Sequence, residues 1–272
     1  MNHHEEAKAK AAMAYNMAAD YFDHPVSSFW HCFGQKTIER IALRPGESVL
    51  DVCSGSGGSA LPAAERVGSD GKVIAADLAE RLIALAETKA KAKQLENIGF
   101  RVADMLDLGY PDASFDAVVC VFGIFFVPDM VAATRELWRM VKPGGRLAIT
   151  TWGPDLFEPA NSVFWDVIGN ARRDLQRSFN PWERISEPDG LREMLAEAGV
   201  HTNDIVAESG SHPLNLAEDW WAIAMGSGYR GTLAQLDPET FAQVRDVNLL
   251  RLDEDQVQSI SANVVYAVAV KQ

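Results

Sequence analysis

The run Val49-Leu50-Asp51-Val52-Cys53-Ser54-Gly55-Ser56-Gly57-Gly58 constrains this chain more than any other, because an apolar strand passes through an acid into a glycine-rich turn. Glycine permits positive φ and lets a ligand press against bare backbone. The apolar pattern resumes at Ala60, so a helix is expected there with its N-terminal amides facing a bound group. The stretch reads as a nucleotide-type cofactor site at the end of the first strand of an α/β sheet.

Two cofactors suit such a turn. Gly55, Gly57 and Ala60 fit the G-x-G-x-x-G/A spacing, with Asp77 beyond them, which would serve a nicotinamide dinucleotide. Asp51, at the strand end just before the glycines, suits a cationic ammonium group instead. Here the chain resembles motif I of the class I S-adenosylmethionine-dependent methyltransferases. The likeness continues in order through Gly71–Leu78, Val102–Met105, Phe115–Gly123 and Leu137–Leu147, as second strand, third motif, fourth strand, and the helix, turn and fifth strand. It is a likeness to the ubiquinone/menaquinone-biosynthesis type and its small-molecule relatives.

That resemblance implies S-adenosyl-L-methionine as cofactor and S-adenosyl-L-homocysteine as product. It implies Asp51 at the ammonium, and Gly55, Ser56 and Gly57 in the turn under the cofactor. It puts Asp77 on the ribose hydroxyls with Leu78 beside it, Asp104 on the adenine amine, Met105 over the ring, and Phe122 after the fourth strand. Tyr15 and Tyr21 lie in a segment similar to the family's tyrosine-bearing N-terminal one and are expected to close over the cofactor; plain helix packing is the competing reading. Cys53 replaces the first of three alternating glycines and narrows the room beside the methionine moiety.

Beyond the motifs, alternating short β-rich runs and amphipathic stretches such as Glu80–Lys93 and Met130–Val141 indicate βαβ units. The expected fold is α/β: a doubly wound, Rossmann-like, seven-stranded sheet, mostly parallel with the last strand antiparallel, carrying a helical lid and insertions. Residues 1–45 are expected to form the N-terminal lid, with helices over about Glu5–Phe22 and Ser28–Ile41, and residues 46–151 the cofactor-binding core. Residues 152–272 complete the sheet, with substrate-covering insertions at about 152–188 and 214–260. In that last part helices are expected at Ser162–Phe179, Asp189–Gly199, Leu216–Met225 and Pro238–Leu250, and strands at Ile205–Ser211 and Asn263–Val270.

A formal net charge of −13 over 272 residues repels a phosphate backbone, so nucleic acid is not the expected substrate. No apolar run is long enough to span a bilayer and the first ten residues do not read as a signal peptide, so a cytoplasmic protein is expected. Cys32, Cys53 and Cys120 lack metal-ligand spacing; no metal is expected. A homodimer is a candidate assembly.

The segments able to roof the strand ends are rich in aromatics. Phe22, Trp30, Trp152 and Trp182 are the expected acceptor contacts, with core packing the alternative for each. Methyl transfer mainly requires alignment and exclusion of water, since the reactive group is already on the cofactor. Where the acceptor must lose a proton, histidine suits neutral pH. His31, on a lid helix, is the expected base, ahead of His24 and His212; Glu158, Asp166 and Glu183 are alternatives. Asp112, Asp116 and Asp129 read as turn or capping residues. The function expected is methyl transfer to an O or N nucleophile of a small, hydrophobic or aromatic molecule. The alternatives are a nicotinamide-dependent oxidoreductase and a non-catalytic methyltransferase-like binding protein.

Overall fold

The computed structural model describes residues 3–177 and 180–272. In chain order it contains α1 (His3–Phe22), α2 (Phe29–Ile41), β1 (Ser48–Val52), α3 (Ala60–Val67), β2 (Lys72–Asp77), α4 (Glu80–Ala92), β3 (Ile98–Val102), β4 (Phe115–Val121), α5 (Met130–Met140) and β5 (Val141–Trp152). There follow α6 (Ala160–Ala171), α7 (Pro188–Glu197), β6 (Asp204–Glu208), β7 (Ser211–Pro213), α8 (Ala217–Met225), α9 (Arg230–Leu233), α10 (Pro238–Glu254), β8 (Ser259–Ser261) and β9 (Val264–Val270).

Seven strands form one sheet in the order β3-β2-β1-β4-β5-β9-β6, with β9 antiparallel to both neighbours. β1 therefore lies between β2 and β4, pairing Val49 with Val73 and with Ala117, and Val52 with Ala76 and with Cys120. The sheet reverses its winding between β1 and β4, where this class of fold leaves a crevice at the strand C-termini.

Period-two alternation sends successive side chains to opposite faces, and both faces are apolar. Val49, Val73, Ala75, Ala117 and Val119 pack under α2 and α3 with Ile38, Ile41 and Ala64. Leu50, Val52, Ala76, Val118 and Cys120 join a larger core with Leu137, Trp152, Phe164 and Trp220. Asp129 caps α5 by accepting from the Ala132 amide at 2.8 Å, and Asp116 accepts from the Ser48 amide at 2.9 Å and from Lys142. Asp112 pairs with Arg139.

The expected fold class is observed, and three local expectations are corrected. The helix anticipated over 162–179 starts at Ala160 and stops at Ala171, where Arg172 swings to φ −146°, ψ 83°; residues 178 and 179 lie outside the described residues. The strand anticipated over 205–211 is two, because the chain turns at Ser209-Gly210 and β7 leaves the main sheet to pair with β8. The helix after Asp237 runs four residues further, to Glu254. Residues 209–263, between β6 and β9, carry β7, α8, α9, α10 and β8.

Candidate functional site

A cavity opens over the C-termini of β1, β2 and β4, with α1 across it. Its floor is the segment from Val52 to Gly55 and its sides include Asp77, Leu78, Asp104, Met105 and Phe122. The turn keeps the backbone its sequence requires: Cys53, Gly55 and Gly57 have φ of +58°, +54° and +90°. A β-carbon on Gly55 would stand 3.4 Å from the Phe22 ring, so the missing side chain keeps the floor clear. Cys53 takes the left-handed conformation that glycine takes at no steric cost. Its thiol is held protonated by its contact with Cys120 and by burial.

The acids divide by geometry. Asp77 accepts from the Gly55 amide and the Ala79 amide, both at 2.8 Å, tying β2 to the turn, and burial raises its pKa. Asp104 accepts from the Leu106 amide at 3.0 Å and forms an ion pair with Lys8 of α1 at 2.9 Å. Asp51 is fully buried on the α3 face of β1, behind the cavity wall. Ser59, which does line the cavity, donates to its Oδ2 at 2.7 Å, and its Oδ1 has no hydrogen-bond partner. Burial lifts the Asp51 carboxyl to about 7.

Three expected site residues lie elsewhere. Tyr21 is 40% exposed and lines no part of the cavity. Ser56 faces away, donating to Asp23 at 2.6 Å and accepting from Lys89 at 2.9 Å, while Gly57 packs on Leu61 and Ala86. Lys8, Ala11, Ala12, Tyr15 and Phe22 of α1 all line the cavity. The first four follow i, i+3, i+4, i+7 spacing, and Phe22 lies a further seven residues along. That stripe was the available signal for Lys8, and it leaves Tyr21 off the face.

A second cleft of about 670 Å³ adjoins the first, within the range of small-molecule sites. Ala11, Tyr15, Trp30 and Phe126 belong to both linings, so the partition is a wall of side chains. In that wall Tyr15 meets Phe126 edge-on at 5.4 Å and Phe22 at 6.2 Å, and Trp30 stacks on Phe22 at 5.2 Å. Trp152 and Trp182 line the second cleft, with Phe125, Trp165 and Tyr229. Trp152 is itself stacked on Phe122 at 3.9 Å. The Tyr229 hydroxyl donates to Asn161 Oδ1 at 2.7 Å, whose amide donates to Glu158 at 2.9 Å.

The expected base is not there. His31 is exposed on the outer face of α2, lining neither cavity, because Trp30, Phe33, Gly34 and Thr37 turn that helix's inner face toward the protein. His212 is held by the Val26 carbonyl at 2.6 Å and His24 caps the short turn at Pro25–Ser27. Of the alternative acids, Asp166 faces Arg251, Glu183 accepts from Asn180, and Glu158 reaches the second cleft only through Asn161. Among the described residues no group of three or more His, Cys, Asp or Glu could hold a metal, and no helix is long and apolar enough to cross a membrane.

The residues present suit S-adenosylmethionine. The cavity offers side-chainless floor at Gly55, carboxylates on both sides, and behind Ser59 a buried carboxylate oxygen with no partner of its own. The ubiE/COQ5 methyltransferase family matches residues 5–159. The chain is 36% identical over 186 residues to demethylmenaquinone methyltransferase of Oceanobacillus iheyensis, covering 64% of this chain and 78% of that protein. It is 30% identical over 187 residues to that of Listeria monocytogenes serotype 4b, covering 65% and 79%. A SAM-dependent methyltransferase from Aquifex aeolicus shares the fold, with TM-score 0.51 and 23% identity over 64% of this chain and 82% of that one. These likenesses do not favour the oxidoreductase and non-catalytic alternatives. The chain belongs to the ubiE/COQ5 methyltransferase family and is an S-adenosylmethionine-dependent methyltransferase acting on a small molecule.

Proposed function

We propose that the second cleft is the acceptor chamber and that the acceptor is a small aromatic molecule of quinol type, as the names of the demethylmenaquinone methyltransferases suggest. The observation that carries this is the shared wall of Tyr15, Trp30 and Phe126 between a cavity suited to the donor and a cleft lined by indole and phenyl rings. Bound S-adenosylmethionine supplies an electrophilic methyl on a sulfonium, which aromatic faces also favour. Asp77 would hold the ribose hydroxyls, Asp104 the adenine amine with Met105 against the ring, and Asp51 the ammonium with Ser59. The aromatic wall excludes water and holds a flat ring in line with the donor chamber. S-adenosylhomocysteine is the product, and a cytoplasmic enzyme with no nucleic-acid substrate agrees with the acidic charge.

No described histidine lines either cavity, so the chain supplies alignment and hydrogen bonding rather than a histidine base. Tyr229 is placed to hydrogen-bond the acceptor, because its own proton is committed to Asn161 and its oxygen is left to accept from a hydroxyl on the ring. The test is incubation with S-adenosylmethionine and a panel of naphthoquinols, phenols and aliphatic amines, following methylated product and S-adenosylhomocysteine by mass spectrometry. Stoichiometric methylation of ring quinols is expected. Turnover confined to aliphatic amines would sink the proposal.

A further inference from the structure

Among the described residues three charged side chains line the second cleft: Lys10, Asp174 and Arg177. Lys10 is paired with Glu6 at 3.0 Å and Asp174 with Arg172 at 2.7 Å. Arg177 has no acidic partner among the described residues; its guanidinium lies over the Trp165 ring at 5.6 Å. The same ring stands 5.9 Å from the Tyr229 ring, so Arg177 and Tyr229 neighbour one indole of the cleft lining. Its field also reaches Tyr15 in the partition, lowering the pKa of both tyrosines against the larger rise due to burial.

Arg177 is exposed to solvent while lining the cleft, so its charge is open to an incoming ligand. A guanidinium over an indole, with no carboxylate partner among the described residues, keeps its N–H fork available to both oxygens of a carboxylate. We propose that Arg177 is the specificity determinant of the acceptor chamber and that the acceptor is an aromatic ring carrying a carboxylate. This rests on reading the second cleft as the acceptor chamber, and it deepens that reading by adding a preference for a carboxylate on the acceptor ring.

The test separates the two. Protein saturated with S-adenosylhomocysteine is titrated calorimetrically with 2-naphthoate and with its neutral isostere 2-naphthamide. The carboxylate should bind about tenfold tighter, the strength of one charge-assisted contact, and the gap should narrow in high salt. Arg177→Gln should abolish the gap while leaving 2-naphthamide and S-adenosylhomocysteine affinities unchanged, and Arg177→Lys should keep part of it. Equal affinity for the two probes, binding of neither, or a gap that survives Arg177→Gln would overturn the assignment. Should the gap hold and vanish with Arg177 while no quinol or aromatic acid is methylated, the quinol-type reading fails and the charge preference of the cleft stands. Should quinols be methylated with no gap between the probes, the reverse holds.

Discussion

At the residue scale the proposed donor site turns on three acids with different surroundings. Asp77 already accepts two backbone amides and lines the cavity. Asp77→Ala is expected to weaken S-adenosylmethionine binding by roughly 1.5–3 kcal/mol, measured by calorimetry, as for loss of charge-assisted hydrogen bonds. Asp51 has a folded pKa of about 7, set first by burial, far above the roughly 3.9 of an unfolded aspartate. The folded state thus holds this proton more tightly, so the group favours folding most at low pH and that contribution is lost as pH rises toward 7. A cationic ammonium reverses the preference, favouring the carboxylate and expelling the proton. Affinity should therefore rise between about pH 5.5 and 7.5, with proton release seen in buffers of different ionisation heat, and Asp51→Asn should flatten the slope. Much of this set was legible in the sequence, because strand-end acids and glycines fall at fixed spacings. The facing of Tyr21 and His31 was not, since each sits one residue from an inward neighbour, Phe22 and Trp30, and only the docking of the whole helix decides which points in.

At the element scale that docking depends on bare backbone. A β-carbon on Gly34 of α2 would lie 2.4 Å from the Gly58 carbonyl oxygen, and one on Gly58 would lie 2.9 Å from the Trp30 carbonyl. The helix thus rests directly on the glycine turn. Gly34→Ala must lift α2 away, costing on the order of 1–3 kcal/mol as overpacking does, and a thermal melt should show it alongside weaker donor binding. An unchanged melting temperature would mean the contact yields. The N-terminal helix is fastened at its far end by Arg81, which donates to the Asn16 carbonyl at 2.9 Å and pairs with Asp20 at 2.5 Å. These partners are exposed, so Arg81→Ala should change stability by no more than about 1 kcal/mol, and its effect is expected in the donor affinity, which calorimetry reads. Periodicity found the sheet and most helices, as both faces of every central strand are buried. It overran at Arg172 and at Ser209-Gly210, where a single turn ends an element inside a sequence that still looks regular.

At the scale of the whole molecule, a ligand that binds only the folded chain must raise its stability. With S-adenosylhomocysteine at a hundredfold its dissociation constant, the gain is about 2.7 kcal/mol, or on the order of 5–10 °C in melting temperature for a chain this long. The nicotinamide dinucleotide should give none, and a comparable shift with it would reopen the oxidoreductase reading. The overall architecture was readable because five motifs occur in order; between β6 and β9 periodicity found α8 and α10, but β7, α9 and β8, three or four residues each, are too short to show a period. The two chambers also differ in provenance. Every described residue around the donor cavity, from Lys8 to Val127, lies within the matched span, whereas the other cleft takes Trp30, Phe125 and Trp152 from that span and Trp165, Arg177, Trp182 and Tyr229 from beyond residue 159. On the acceptor-chamber reading, substitutions at Trp165, Trp182 or Tyr229 would change what the enzyme decorates while leaving the lining of what it spends untouched, with Tyr15, Trp30 and Phe126 as the seam common to both.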